Sequence, residues 1–343
     1  MLRALLPFCA VVLIPLGAHA QGELFLYNWS NYFPPALLEK FEAETGIKVT
    51  LDVYDSNETL LAKLQAGAAG YDVVVPSAYM IKVMADDGLI QEIDAHEMEN
   101  FKNVKSPHDS LSTDPERDYS APYLWGTTGL TYDSARVEGE LEASWKEFFA
   151  PREGLVGQIA ALNDQVEMFN AAAYYLGFDK CTEDPEEARQ ILELLEKQKP
   201  ALAMYQSDGT IDRMIAQEVI MHHQWNGAAH RTKEKLPSAV YLYPKEGVSF
   251  WSDHFVVPAR APNLENAKRF INWMMAPENI AVASNFAGYM NAIRGSEAYL
   301  DERLRNDPAV NMPEDYAERL RPTKECSPAA RQLRDRVWTR LKS

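Results

Sequence analysis

Five short stretches of this chain gather aromatic rings, carboxylates and small polar groups. They are Trp29-Ser30-Asn31-Tyr32, Ser77-Ala78-Tyr79, Asn163-Asp164, Trp225-Asn226-Gly227 and Trp251-Ser252-Asp253. An aromatic face carries negative quadrupole potential, and a cation held over it gains roughly 0.5–2 kcal/mol. A buried ammonium also needs a carboxylate or several acceptors, because leaving it unpaired costs several kcal/mol. Rings that pack methylenes, with carboxylates at intervals, therefore suit an alkyl chain carrying separated ammonium groups. Each residue has a plainer reading as well. A single tryptophan is more often core. Asp164 and Glu167, three apart, form a D-x-x-E capping pattern, which also puts them one turn apart on the same side of a helix. Asp253 at a strand start also fits a turn.

These residues need elements to position them. The segment 24–29 reads as a strand. A helix follows over 35–45, opened by Pro34 or Pro35 and stopped by Gly46. Residues 48–54 alternate as a strand, Ser56 caps a helix over 58–65, 71–75 is a short strand, and 80–87 is a helix before Gly88. A strand at 129–132 leads out of the first lobe. Helices are predicted near 145–149, 164–176, 185–199 and 211–217, with strands at 219–224 and 239–243. Residues 253–258 read as a strand returning to the first lobe, 264–275 as an amphipathic helix and 328–341 as a closing helix. Strands alternating with helices predict an α/β architecture with mainly parallel sheets. Ligands of such sheets bind beyond the carboxyl ends of the strands, which is where most of the five stretches are expected.

The chain of 343 residues exceeds one comfortable hydrophobic core and predicts two lobes. Its 34 basic and 50 acidic side chains give a net charge of −16. That balance disfavours nucleic acid and favours cationic partners by steering, although solubility alone accounts for it equally well. At the N-terminus Arg3, the apolar run 4–17 and Ala18-His19-Ala20 form a secretory signal peptide with cleavage expected after Ala20. The apolar run is too short to span a bilayer comfortably, and it continues past Cys9, which argues against a lipoprotein site there. The expected destination is the periplasm. In that oxidising compartment Cys181 and Cys326 fit either one disulfide or two buried thiols. The chain lacks a G-x-S-x-G elbow, a P-loop and an H-E-x-x-H motif, so a binding module is expected rather than an enzyme. His222 and His223 are adjacent on a predicted strand and point to opposite faces, which prevents joint chelation of a metal. Tyr174 and Tyr175 lie on an amphipathic helix and are expected to pack. No metal and no cofactor is expected.

The segments Tyr27-Asn28-Trp29-Ser30, Glu44-Thr45-Gly46-Ile47-Lys48-Val49, Asp55-Ser56-Asn57-Glu58, Asp72-Val73-Val74-Val75-Pro76-Ser77, Gly126-Thr127-Thr128-Gly129, Trp225-Asn226-Gly227 and Pro244-Lys245-Glu246-Gly247, in this order and spacing, resemble the periplasmic polyamine-binding proteins of ABC importers, the putrescine- and spermidine-binding family. The resemblance covers nearly the whole chain after residue 20. It implies a type II periplasmic binding protein fold, with two α/β lobes joined by crossing strands and closing on ligand like a hinge. The expected lobes are 21–130 with 254–297, and 131–253 with 298–343.

The resemblance also implies residue roles. Trp29, Trp225 and Trp251 match the aromatic walls around the carbon chain, and Tyr32, Tyr79 and Tyr289 match further wall or hydroxyl positions. Asp253 matches the carboxylate for one amine, Asp164 and Glu167 match acids at the other end, and Ser30, Ser77 and Ser207 match polar contacts. Asn31 stands where relatives have Asp or Glu. Ala228 stands where putrescine-preferring members place a second Asp, and Trp251 where they often have Phe. These departures favour a triamine such as spermidine, with putrescine as the alternative. The implied partner is an inner-membrane permease, with a membrane receptor as the sensory alternative, and the protein is expected to be monomeric. A binder of another solute, such as iron, an amino acid or an opine, is the remaining rival.

Overall fold

The structure, a computed structural model, describes residues 22–343. The expected signal peptide and Cys9 lie outside the described residues. The strands are β1 (Gly22–Trp29), β2 (Ile47–Tyr54), β3 (Val73–Val74), β4 (Ile90–Gln91), β5 (Ser120–Asp133), β6 (Ile159–Ala161), β7 (Leu202–Tyr205), β8 (Met221–Trp225), β9 (Ala239–Leu242), β10 (Val248–Pro258), β11 (Met290–Asn291) and β12 (Leu320–Pro322). The main path of the sheet runs β2-β1-β3-β10-β5-β8-β6-β7. Its two outer parts are parallel: β1 pairs with β2 and β3, and β6 pairs with β7 and β8. Between them the two long strands β5 and β10 run antiparallel to each other. This mixture fits an α/β protein of two lobes in which a crossing pair carries the chain out and back.

Buried apolar side chains separate accordingly. One large cluster holds Leu24, Phe41, Val73, Tyr123, Phe255 and Phe270. A second holds Leu130, Trp145, Phe169, Ile191, Met221 and Leu341. A smaller cluster, including Leu60, Met80 and Ile81, packs helices Asn57–Gln65 and Ala78–Asp86 onto the first lobe. Leu300, Leu304 and Val310 pack with Ala281 of helix Pro277–Ala287. The Sγ atoms of Cys181 and Cys326 are bonded, tying the segment after helix Gln165–Leu176 to the start of helix Pro328–Lys342.

Local chemistry explains most element ends. Gly46 ends helix Pro35–Thr45 with φ 71°, in the left-handed region that favours glycine. The Ser56 hydroxyl accepts the Thr59 N–H and starts helix Asn57–Gln65. The crossing strands differ most from the sequence reading. They begin at Ser120 and Val248, well before the expected 129 and 253. Pro122, Gly126 and Gly129 disguise β5 as a loop, but pairing along both edges holds those residues extended. Helix Pro277–Ala287 and strands β6 and β7 were also missing from the expected set.

Candidate functional site

The carboxyl ends of β1, β3, β6 and β8 open into one cavity of about 500 Å³ between the lobes. All thirteen expected contact residues line it: Trp29, Ser30, Asn31, Tyr32, Ser77, Tyr79, Asp164, Glu167, Ser207, Trp225, Trp251, Asp253 and Tyr289. Trp29 and Trp225 end their strands, as expected. The Trp251-Ser252-Asp253 stretch is different, because it lies inside β10. There the pairing with β5 slips between Ser252 and His254. Such a bulge re-aims a side chain without ending the strand, and at this one Asp253 is set against Ser77 across an isolated bridge.

Asp253 is buried. The Ser77 hydroxyl donates to its Oδ1 at 2.6 Å and the Tyr32 hydroxyl donates to its Oδ2 at 3.0 Å. Asn57 holds Ser77 in turn. Its Nδ2 donates to Ser77 Oγ at 3.1 Å and its Oδ1 accepts the Ser77 N–H at 3.0 Å. Burial pushes the Asp253 carboxyl up to about 7, against the pull of the two hydroxyls. A carboxylate offers about four acceptor positions, so two remain for a cation.

Rings surround this acid. Trp251 and Tyr289 meet edge-on at 5.1 Å, and Tyr32 and Tyr289 at 5.5 Å. The Trp251 indole N–H donates to Thr128 Oγ1 at 3.1 Å, and the Trp29 indole N–H donates to the Val75 carbonyl at 2.8 Å. Both rings are thereby fixed in rotation. Two glycines make the close packing feasible. A Cβ on Gly126 would stand 2.7 Å from the Trp251 ring, and one on Gly227 would stand 2.4 Å from the Tyr289 ring.

The other end is built from helix Gln165–Leu176. Asp164 caps it, its Oδ1 accepting the Val166 and Glu167 N–H groups at 2.8 and 3.0 Å. Its carboxyl is nevertheless raised, because burial outweighs those bonds. Burial and then the Asp164 charge push Glu167 up to about 8 and half-buried Glu58 up to about 7. Ser207 Oγ accepts the Asn163 N–H at 3.1 Å and orders the loop leading into Asp164. Carboxyls raised by burial are poised to ionise against an incoming cation.

Sequence reasoning missed several residues here. Tyr54 and Asn57 line the cavity as the scaffold beneath Trp29 and Ser77. Their place at the end of β2 and the start of the next helix was the available signal. Asp55, Asp208 and Asp212 line the cavity as well. So does Arg231, whose guanidinium donates to the Asn31 carbonyl and Oδ1 at 3.2 and 3.1 Å and lies over the Phe286 ring. Asn31 has φ 58°, a left-handed conformation that asparagine tolerates better than most residues. The residues set aside earlier lie elsewhere. His222 bonds to Arg213, while His223 packs edge-on against Trp145. Tyr174 sits in the second-lobe core.

The family model described as bacterial extracellular solute-binding protein matches residues 36–313. The spermidine/putrescine-binding periplasmic protein of Salmonella typhimurium is 35% identical, covering 90% of this chain and 89% of the relative. The putrescine-binding periplasmic protein SpuD of Pseudomonas aeruginosa is 32% identical, covering 93% of this chain and 92% of its own length. Among solved structures, the Tp0655 (TpPotD) lipoprotein of Treponema pallidum superposes with a TM-score of 0.81 at 27% identity, over 93% of this chain and 99% of that one. No helix among the described residues is long and apolar enough to cross a membrane. With the family model spanning most of its length and a two-lobed cleft of this construction, the chain belongs to the bacterial extracellular solute-binding proteins.

Proposed function

We propose that this protein is the periplasmic binding component of a polyamine ABC importer, capturing a spermidine-type linear polyamine between its lobes and presenting the closed form to an inner-membrane permease. One observation carries the reading. A single interlobe cavity combines aromatic walls with buried carboxyls at two separate places, Asp253 on β10 and Asp164 with Glu167 at a helix start. In this reading the rings of Trp29, Trp225, Trp251 and Tyr289 pack the methylenes. Asp253 pairs one terminal ammonium, and Asp164 and Glu167 pair the other end. The ligand stabilises closure by as much as it binds the closed form better than the open one. Ala228 supports a triamine over a diamine, since it lines the cavity with a methyl group and supplies no second acceptor on that wall. The signal peptide expected at residues 1–20 supplies export. The site's role is binding rather than turnover, so the ligand is released chemically unchanged.

A calorimetric screen with putrescine, cadaverine, spermidine, norspermidine, spermine and agmatine tests this reading. The expected result is saturable one-to-one binding of at least one triamine, compaction in small-angle scattering, and recovery of intact ligand. Binding of none of them, with tight binding of an anionic or metal solute instead, would overturn it.

A further inference from the structure

Beside the Asp164 end of the cleft lies a second cavity of about 260 Å³. The two cavities share Tyr79, Val166 and Thr323 as walls, so they adjoin across the first turn of helix Gln165–Leu176. Leu61, Met80 and Val83 of the first lobe give the second cavity an apolar side. From the second lobe, helix Pro328–Lys342 contributes Arg334. This side chain is only 7% exposed, yet its Nε finds no hydrogen-bond partner among the described residues. The neighbouring cations are engaged. Lys180 donates to the Arg321 and Pro322 carbonyls, Lys324 pairs with Asp179, and Arg331 pairs with Glu325. A buried guanidinium without a bonded counter-ion is costly, and packing alone does not call for one.

We propose that Arg334 is a specificity-determining residue that stops a linear polyamine at the Asp164 end, by holding a fixed positive charge in the cavity a further ammonium would otherwise enter. The inference rests on the polyamine reading of the cleft. The Arg334 charge acts through space on Glu58 and Asp164, lowering both against the effect of burial. It therefore offsets part of the carboxylate charge that would welcome an additional ammonium. It also stands in a space that adjoins the cleft at this end, across Tyr79, Val166 and Thr323. Around it, helix Asn57–Gln65 presents Glu58, the next helix is followed by Asp87, and its own helix carries Arg331 and Asp335. Lys180, Lys324 and Glu325 complete the charged lining. Remove the guanidinium, and Glu58, Asp87 and Asp335 become acceptors for a longer amine.

The test is calorimetry at pH 7 on the full protein and its Arg334→Met and Arg334→Lys variants, titrated with putrescine, spermidine and spermine. Arg334→Met is expected to move the spermine-to-putrescine affinity ratio at least tenfold toward spermine. Arg334→Lys, which keeps the charge, is expected to hold the wild-type ratio. If Arg334→Met lacks a cooperative melt, Arg334→Gln carries the same comparison. A folded neutral variant with an unchanged ratio, or one that loses all three ligands by the same factor, overturns this inference alone, as does a lysine variant that behaves like the neutral one. Wild-type protein that binds none of the three overturns the polyamine reading and this inference with it.

Discussion

The two ends of the cleft hold their carboxyls in opposite ways. At one end Asp253 is alone, gripped by Ser77 and Tyr32 and surrounded by rings. At the other, Asp164 and Glu167 line the cleft with Glu58 behind them in the adjoining cavity; burial and then the Asp164 charge raise both glutamates, and the Arg334 charge lowers Asp164 and Glu58. The first end fixes position, because its acceptor is oriented before any ligand arrives. The second offers charge density with some redundancy. Under the proposed function, a ligand anchored at the first and matched electrostatically at the second would be selected by length and charge together.

This contrast can be broken most sharply at Asp253. Removing one member of a buried hydrogen-bonded charge pair costs about 2–5 kcal/mol. Asp253→Asn is therefore expected to weaken spermidine binding about a hundredfold in calorimetry, with an unchanged circular-dichroism spectrum. A loss below about threefold would show that this end is not the anchor. Trp251→Ala comes next, with about tenfold weaker binding, the scale of 1.4 kcal/mol. It removes a wall while leaving the Asp253 hydrogen bonds in place.

Changes of pH should have an effect of intermediate size. A carboxyl raised by folding favours its neutral form, so its contribution to stability is complete below the ordinary carboxyl range. That contribution is lost as pH rises through the folded value. For Asp253 and Glu58 the loss runs from the ordinary carboxyl range, about pH 4, up to about pH 7, and for Glu167 up to about pH 8. The ligand-free protein should therefore lose thermal stability between about pH 4 and pH 8. Spermidine needs the ionised form, so its affinity should rise severalfold over pH 6 to 8, with protons released on binding. Calorimetry in buffers of different ionisation enthalpy measures that release, and binding that is independent of pH would contradict it. Asp164→Asn is expected to have the smallest effect, a few-fold weaker binding. Asparagine keeps the helix cap, and Glu167 remains to receive the ammonium. A loss as large as that of Asp253→Asn would remove the distinction between the ends.

Much of this cleft was legible in the residues because strand ends in α/β lobes converge. Trp29, Ser77, Asp164 and Trp225 were marked by following their strands or opening a helix. Asp253 was marked for a different reason from the one the structure gives, since it sits at a bulge within a long strand rather than at a strand start. Bulges depend on pairing with a distant partner, and local sequence carries little trace of them. Ser207 and Tyr289 came only through the family resemblance, because nothing in their neighbours announces a site. Arg334 lies on the last helix and meets Glu58 across 276 residues of chain. Its placement depends on how the lobes pack, which neither periodicity nor capping records. The crossing strands were truncated for a similar reason, since glycine and proline within β5 look like breaks until both of its edges are paired.

A crystal structure of the protein grown with spermidine would show which groups hold the ligand. One extended ligand is expected, with a terminal nitrogen within hydrogen-bond distance of an Asp253 carboxylate oxygen. Its carbon chain would run between the rings of Trp29, Trp225 and Trp251 toward Asp164 and Glu167. Spermidine bound outside the interlobe cavity, or in it with no nitrogen paired to Asp253, would rule out Asp253 as the anchor of polyamine capture.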